Sequence, residues 1–228
     1  GRVRDFGEAY LALALWRRLG LHTLLRDLIE PGRESVPWEL TACILTVARF
    51  CGNQSELEVA ERWYADSALE DLLGVPFTQV SDARLYRGLD VLLGQKDRLC
   101  QHLLERYQSW FGVEFEFLLY DVTSTCFEGK AERNPKARRG YSRDQRSDCK
   151  QVNIGLVCTP EGLPIGYEVF AGNAADVTTV EDMIEMMEKK YGQAKRIWVM
   201  DRGMVREDNL DFLRERDARY IVGLPKQQ

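Results

Sequence analysis

The spacing of apolar residues changes once along this chain, near residue 113, and the change restricts the folds open to it. Before that point apolar residues recur at three and four, as in Leu11 and Leu15 and then Leu21, Leu24, Leu25 and Leu28, which is the period of an amphipathic helix. Gly20 and the run EPGRES punctuate this half. A helix is expected from Trp38 to Phe50, another from Ser55, a cap with Glu58 three residues on, and a third after Ser81 or Asp82 carrying Leu85, Leu89, Leu92 and Leu93. A last amphipathic helix is expected over 95–111. From Phe115 the apolar runs shorten and are bounded by Gly, Pro and charge, the signature of strands. Strands are expected at 115–121, 152–158 and 163–170, the last two a hairpin over the turn TPEG. A helix at 178–191, a strand at 196–201, a helix at 207–216 and a strand at 219–223 follow. The expected class is α+β: an all-α domain over 1–113, then a mixed-sheet domain over 114–228 in the order β-β-β-α-β-α-β.

At 228 residues and 45% hydrophobic content the chain can bury a substantial core. Its longest apolar stretches, AYLALALW and LTACILTVA, fall short of the ~18 residues of a membrane span. The first runs into Trp16-Arg17-Arg18 without a small-residue cleavage site, so it does not read as a secretory signal, and no membrane partner is expected. Cytoplasm is the expected compartment. Cys43, Cys51, Cys100, Cys126, Cys149 and Cys158 form no Cys-x-x-Cys pair and no zinc spacing, which points to reduced thiols. His22 and His102, the two histidines, both fall in leucine-rich helical patterns and read as ordinary helix residues. The net charge of −5 does not suggest a polyanion partner, yet residues 128–150 hold eight basic residues against four acidic ones. That segment can face phosphate or stand as a solvated loop.

The stretch FEFLLYDVTSTCFEGK, residues 115–130, ends an apolar run on Asp121. A carboxylate at a buried strand end costs desolvation energy unless something positive or hydrogen-bonding meets it. The strand order fits a ribonuclease H-like sheet, in which the first and fourth strands are neighbours, so Asp121 and Asp201 are expected to reach one sheet edge. Two such carboxylates suit Mg²⁺ or Mn²⁺, with the other positions left to water and substrate phosphate. Taken singly, each can be a turn or helix cap, and Asp201 opens DRGM, where Gly203 can make a tight turn. Thr123, Ser124 and Thr125 read as turn formers, with no nearby base to activate them. No Gly-x-Ser-x-Gly elbow, Walker-type loop or dinucleotide fingerprint is present.

YDVTSTCFEG, then RGYSRDQRSDCKQVNIGLVCTPEGLPIGYEVFAGNAADVTTVEDMI, then RIWVMDRGMVREDNLDFLRERDARYIVGLPK closely resemble DDE transposases of bacterial insertion sequences, most nearly the IS-four-type group. The resemblance covers about residues 115 to 226, with several motifs in order. It implies a ribonuclease H-like catalytic domain that cuts at transposon ends and joins the freed 3′-hydroxyl to target DNA, acting as a homodimer in a synaptic complex. Asp121 and Asp201 fall on the family's first two metal ligands, for Mg²⁺ or Mn²⁺. Arg143 stands where the family commonly has lysine. Lys130, Arg138, Arg139, Arg143 and Lys150 are the residues expected to meet DNA, with Asp144 beside them. In FAGNAADVTT, Asp176 or Thr178 is expected to cap the following helix and Asn173 to support the turn. The family's third ligand, a glutamate after the fifth strand, is expected beyond Gln228; Glu207 and Glu215 read as helix surface charges. A fragment of a transposase in the bacterial cytoplasm is the leading expectation. A ribonuclease H-like nuclease without strand transfer, or a noncatalytic DNA-binding or oligomerisation module, are the alternatives.

Overall fold

The computed structural model describes residues 3–142, 146–192 and 196–223. Packing divides the chain into two compact units, Gly1–Leu103 and Leu104–Gln228. The division falls inside a helix, α7 (Lys96–Phe111), instead of at the expected 113/114. The helix crosses it without a break because Leu99 and Leu103 pack on the first core and Leu104 and Tyr107 on the second.

The first unit is all helix. It contains α1 (Gly7–Arg18), α2 (Leu21–Leu28), α3 (Trp38–Cys51), a helical run α4 over 56–66, α5 (Leu69–Leu73) and α6 (Asp82–Gly94). Two starts follow the caps read from sequence: Ser55 Oγ accepts from Glu58 N at 3.2 Å, and Ser81 Oγ accepts from Arg84 N at 3.3 Å. The stripe on α1 is a correction. Leu11 and Leu15 are exposed, and the buried face is Ala9, Ala12, Leu13 and Trp16, where small alanines permit close approach. Leu25, Ile44, Tyr64, Leu69 and Leu85 lie at the centre of the core, and the Tyr64 hydroxyl donates to the Val75 carbonyl at 2.8 Å. His102 donates through Nε2 to the Leu19 carbonyl at 2.7 Å, tying α7 to the end of α1.

The second unit is a five-stranded sheet in the order β3-β2-β1-β4-β5, with helices α8 (Val180–Tyr191) and α9 (Glu207–Glu215). The strands are β1 (Phe117–Cys126), β2 (Gln151–Cys158), β3 (Pro164–Ala171), β4 (Ile197–Met200) and β5 (Arg219–Val222). β2 runs antiparallel to both β1 and β3, and β4 and β5 run parallel to β1. This is the mixed sheet expected from the sequence, with its first and fourth strands adjacent.

Along β1 burial alternates. Leu118, Tyr120 and Val122 are buried with Val180, Met183, Ile184 and Met187 of α8, Leu213 of α9, and Trp198 and Met200 of β4. The opposite face carries Phe117, Leu119 and Asp121, and with Leu156 and Ile221 it stands exposed. Two backbone approaches need glycine. A Cβ on Gly172 would lie 2.0 Å from the Gln151 carbonyl oxygen, and one on Gly140 would lie 2.0 Å from that of Gly172. These contacts hold residues 136–141 against β2, where Arg138 N donates to the Gln151 carbonyl at 3.0 Å and Gln151 N to the Arg138 carbonyl at 2.8 Å. Among the described residues no helix is long and apolar enough to cross a membrane.

Candidate functional site

β1 does not end at Asp121. It continues through Thr123, Ser124 and Thr125 to Cys126, paired along its length with β2 from Leu119↔Cys158 to Cys126↔Gln151. The three hydroxyl residues are therefore strand and not turn, in keeping with the strand preference of threonine beside a partner that extends as far. What ends near Asp121 is the ladder to β4. Its last pair is Tyr120↔Met200, so Asp121 and Asp201 occupy the next position on each strand. Parallel neighbours lie about 4.8 Å apart, so the register sets the two residues side by side along the backbone. They come from segments 80 residues apart in sequence.

Neither aspartate is buried, so the desolvation penalty expected from sequence is absent. The physical reason is the alternation of β1, which turns Asp121 to the exposed face with Leu119. Both also serve the backbone: Asp121 Oδ1 accepts from Val122 N at 2.8 Å, and Asp201 Oδ1 accepts from Arg202 N at 2.7 Å, opening the turn Arg202–Met204. The cap reading of Asp201 thus holds alongside its place at the sheet edge. Behind the pair, the buried Tyr120 hydroxyl meets Thr179 Oγ1 at 2.6 Å. Burial raises the Tyr120 phenol well above its ordinary value, and the charges of Asp176, Asp121 and Asp182 add to that.

The segment before α8 departs from expectation. A 3₁₀ turn, Asp176–Thr179, precedes the helix. The Thr178 hydroxyl donates back to the Ala175 carbonyl at 2.7 Å, and the N-cap residue, Thr179, makes no side-chain cap. This turn brings Asp176 toward the second strand end: its Oδ2 lies 3.9 Å from where a Cβ on Gly203 would stand. Among the described residues, no three His, Cys, Asp or Glu side chains gather closely enough to hold a metal ion. Glu207 and Glu215 are exposed on α9, and Glu207 accepts from Arg214 at 2.8 Å, as surface charges do.

The basic residues expected to meet phosphate separate into two groups. Lys130, Arg139 and Lys150 line one open cleft of about 470 Å³ with Glu128, Arg146 and Asp148. Arg146 is engaged there, donating to Asp148 at 2.9 Å and Glu128 at 3.2 Å, and its hydrogen bonds hold the Asp148 carboxyl far below the usual carboxylate range. Arg138 is outside this lining; its backbone forms the bridge to Gln151 and its side chain is exposed. Arg143 and Asp144 lie outside the described residues. From Asp121 to Cys126, the last strand residue before the cleft, β1 spans roughly 17 Å.

Sequence reading missed a second concavity beside the acidic pair, formed around Ser124, Tyr141, Asn153 and Asn173. Its signal was present: Gln151 and Asn153 flank Val152 at the start of β2, where all three are buried, and an amide in such a place requires partners.

A family model described as "Transposase DDE domain" matches residues 114–228. No curated protein matches the chain. Among solved structures, the Mos1 transposase paired-end complex with left transposon end aligns at 14% identity and a TM-score of 0.33, over 84% of this chain and 60% of that one. The catalytic domain of Mos1 mariner transposase aligns at 12% and 0.32, over 58% and 61%. A piggyBac transposase synaptic complex with hairpin DNA aligns at 10% and 0.41, over 99% and 52%. This chain thus spans about three fifths of the Mos1 chains, and the fold assignment rests on strand order and register.

Proposed function

Because the chain belongs to the transposase DDE-domain family, we propose that Asp121 and Asp201 are two ligands of a divalent-metal centre for cutting and joining DNA strands. The observation that carries this is the register: the β1–β4 ladder stops at Tyr120↔Met200, with one aspartate next on each strand. The donor set fits the ion. Mg²⁺ and Mn²⁺ take hard oxygen ligands and commonly bind through one or two carboxylates, with water and substrate phosphate completing the shell. When bound, such an ion supplies activation of a water or 3′-hydroxyl and stabilisation of the leaving oxygen. The chain's own part is to hold two carboxylates at fixed spacing. The amide hydrogen bonds from Val122 and Arg202 orient them, and the 3₁₀ turn after Asp201 fixes the second.

In this reading Lys130, Arg139 and Lys150 meet the DNA backbone a few phosphates from the reacting one, and the helical unit grips transposon ends. The substrate is the transposon end and then target DNA, held by a dimer of the IS-four-type transposase of a bacterial insertion sequence. The test is Mn²⁺ located by anomalous scattering in crystals of this chain, with Asp121→Ala and Asp201→Ala as controls. One ion touching both carboxylates is expected, and its absence at saturating Mn²⁺ would remove the centre. A second reading, from a different class, is a noncatalytic DNA-binding or oligomerisation module. It requires DNA binding that is indifferent to Asp121→Ala and to Mn²⁺. End binding unchanged by deletion of residues 1–112 would remove the role given to the helical unit.

A further inference from the structure

Helix α1 is apolar on both sides. Ala9, Ala12, Leu13 and Trp16 pack on the first core, and on the opposite side Phe6, the residue that precedes the helix, stands exposed with Tyr10, Leu11, Ala14 and Leu15. The four large side chains of this outer face are 39–54% exposed, and Phe6 stacks on Tyr10 with ring centroids 5.1 Å apart. A helix that is apolar all round is ordinarily covered all round, and a contiguous exposed apolar patch marks a surface that another molecule meets.

The order of residues along this face names the occupant. Gly7, Leu11, Ala14 and Arg18 recur at intervals of four, three and four, so they form one line down the exposed side. We propose that two copies of this chain associate through α1, with the two helices antiparallel about a two-fold axis. Against a second α1 running the opposite way, Gly7 meets the partner's Arg18 and Leu11 meets the partner's Ala14. The longest side chain of the line thus faces the smallest, and a leucine faces an alanine, twice over, as two-fold symmetry requires. A Cβ on Gly7 would meet nothing within 4 Å, so the space for the arginine stem is open. Charge follows the same order. Glu8 lies in the first turn of α1 and Arg17 and Arg18 in the last, so antiparallel pairing sets Glu8 beside the partner's Arg18 at both ends. Parallel pairing would set like charges together. The inference goes beyond the metal centre and needs neither DNA nor a metal ion. A single pair of helices is small against the roughly 1,200–2,000 Å² of a stable interface, so the association is weak and reversible.

The experiment is sedimentation equilibrium of the full chain without DNA, over about 1–200 μM, a range that brackets weak specific interfaces. A monomer–dimer equilibrium within that range is expected. Leu11→Glu puts an unpaired charge at the centre of the pair and is expected to raise the dissociation constant about tenfold or more. Leu11 is exposed within one chain, so the fold should survive the change, which thermal unfolding at the dilute end checks. Glu8→Arg alone and Arg18→Glu alone each set like charges across the interface and are expected to weaken the dimer about two- to fivefold. Both substitutions in one chain restore opposite charges only when the helices run antiparallel, and the affinity is then expected to return to that of the parent. A parent that stays monomeric throughout, or a dimer indifferent to Leu11→Glu, would overturn the inference. A double variant no tighter than the single ones would overturn the antiparallel arrangement. The metal centre stands or falls separately, since no DNA or Mn²⁺ enters the measurement.

Discussion

Replacing Gly155 by alanine probes the packing that supports the acidic pair. Gly155 stands opposite Val122, one residue past Asp121. The added methyl would lie 2.7 Å from Met183 Cε, 2.9 Å from Phe170 Cε2 and 2.9 Å from the Tyr120 hydroxyl. Carbon atoms pack best at about 3.5–4.0 Å, so all three contacts are overlaps. Met183 is fully buried, and the Tyr120 hydroxyl is held at 2.6 Å by Thr179, so neither retreats freely. Overpacking of this kind costs about 1–3 kcal/mol, offset by about 0.4–1 kcal/mol from the lower chain entropy of the unfolded alanine variant. The net expectation is a loss of about 1–2 kcal/mol. Urea unfolding, followed by hydrogen exchange of β1 and β2 amides to isolate the sheet unit, reads it as a lower midpoint at unchanged slope. A Tyr120→Phe background removes one overlapping atom and is expected to reduce the cost of the glycine substitution by about 0.5 kcal/mol or more. A Gly155→Ala protein as stable as the parent would refute the reasoning.

Asp201→Asn keeps an oxygen for Arg202 N but removes a charge; the parent is expected to gain thermal stability with added Mn²⁺ and the variant to lose that gain, read by a thermal-shift titration. At alkaline pH the sign follows from burial, which pushes the Cys43 thiol up to about 12 from its ordinary 9.0. The unfolded thiol ionises first, so above roughly pH 9 the unfolded state binds fewer protons and stability falls as pH rises toward 12. Burial raises the Tyr64 and Tyr120 phenols in the same direction. Urea midpoints measured through that range check this, and Cys43→Ser is expected to flatten the first part of the decline. Replacing Lys130, Arg139 and Lys150 together by glutamine is expected to lower the salt slope of DNA binding by about 2–3, since each phosphate contact contributes about 0.9.

Much of this fold was legible because its signals are local. Ser55 and Ser81 cap helices as read, and every strand of the sheet was located to within a few residues, with the exception of one end. That end, Cys126, was missed because the length of β1 is set by β2, whose partners for Thr123 to Cys126 lie beyond a long intervening segment. The α1 stripe failed for a similar reason: leucine spacing names an apolar face, but alanine and tryptophan matched the surface on which the helix packs. The positions of Asp121 and Asp201 followed from strand order alone. The concavity beside them did not, because Asn153, Ser124 and Tyr141 come together only once β1, β2 and the segment pinned by Gly140 and Gly172 are in place.

The unequal lengths of β1's neighbours shape the sheet edge around Asp121. Up to Tyr120 the strand is paired on both sides, by β2 and β4; past it, β2 continues while β4 breaks into the turn capped by Asp201. A strand paired on one side and open on the other offers a notch in an otherwise continuous sheet. The alternation of β1 sends Asp121 to one side of that notch, whereas Ser124, with Asn153 opposite, serves the other face. In the proposed reading, this one irregularity leaves Asp121 and Asp201 next to each other at an open stretch of the sheet edge. Extending β4 past Met200 would pair the notch, so the early end of β4, where the Asp201 turn begins, is the structural condition of the proposed metal centre.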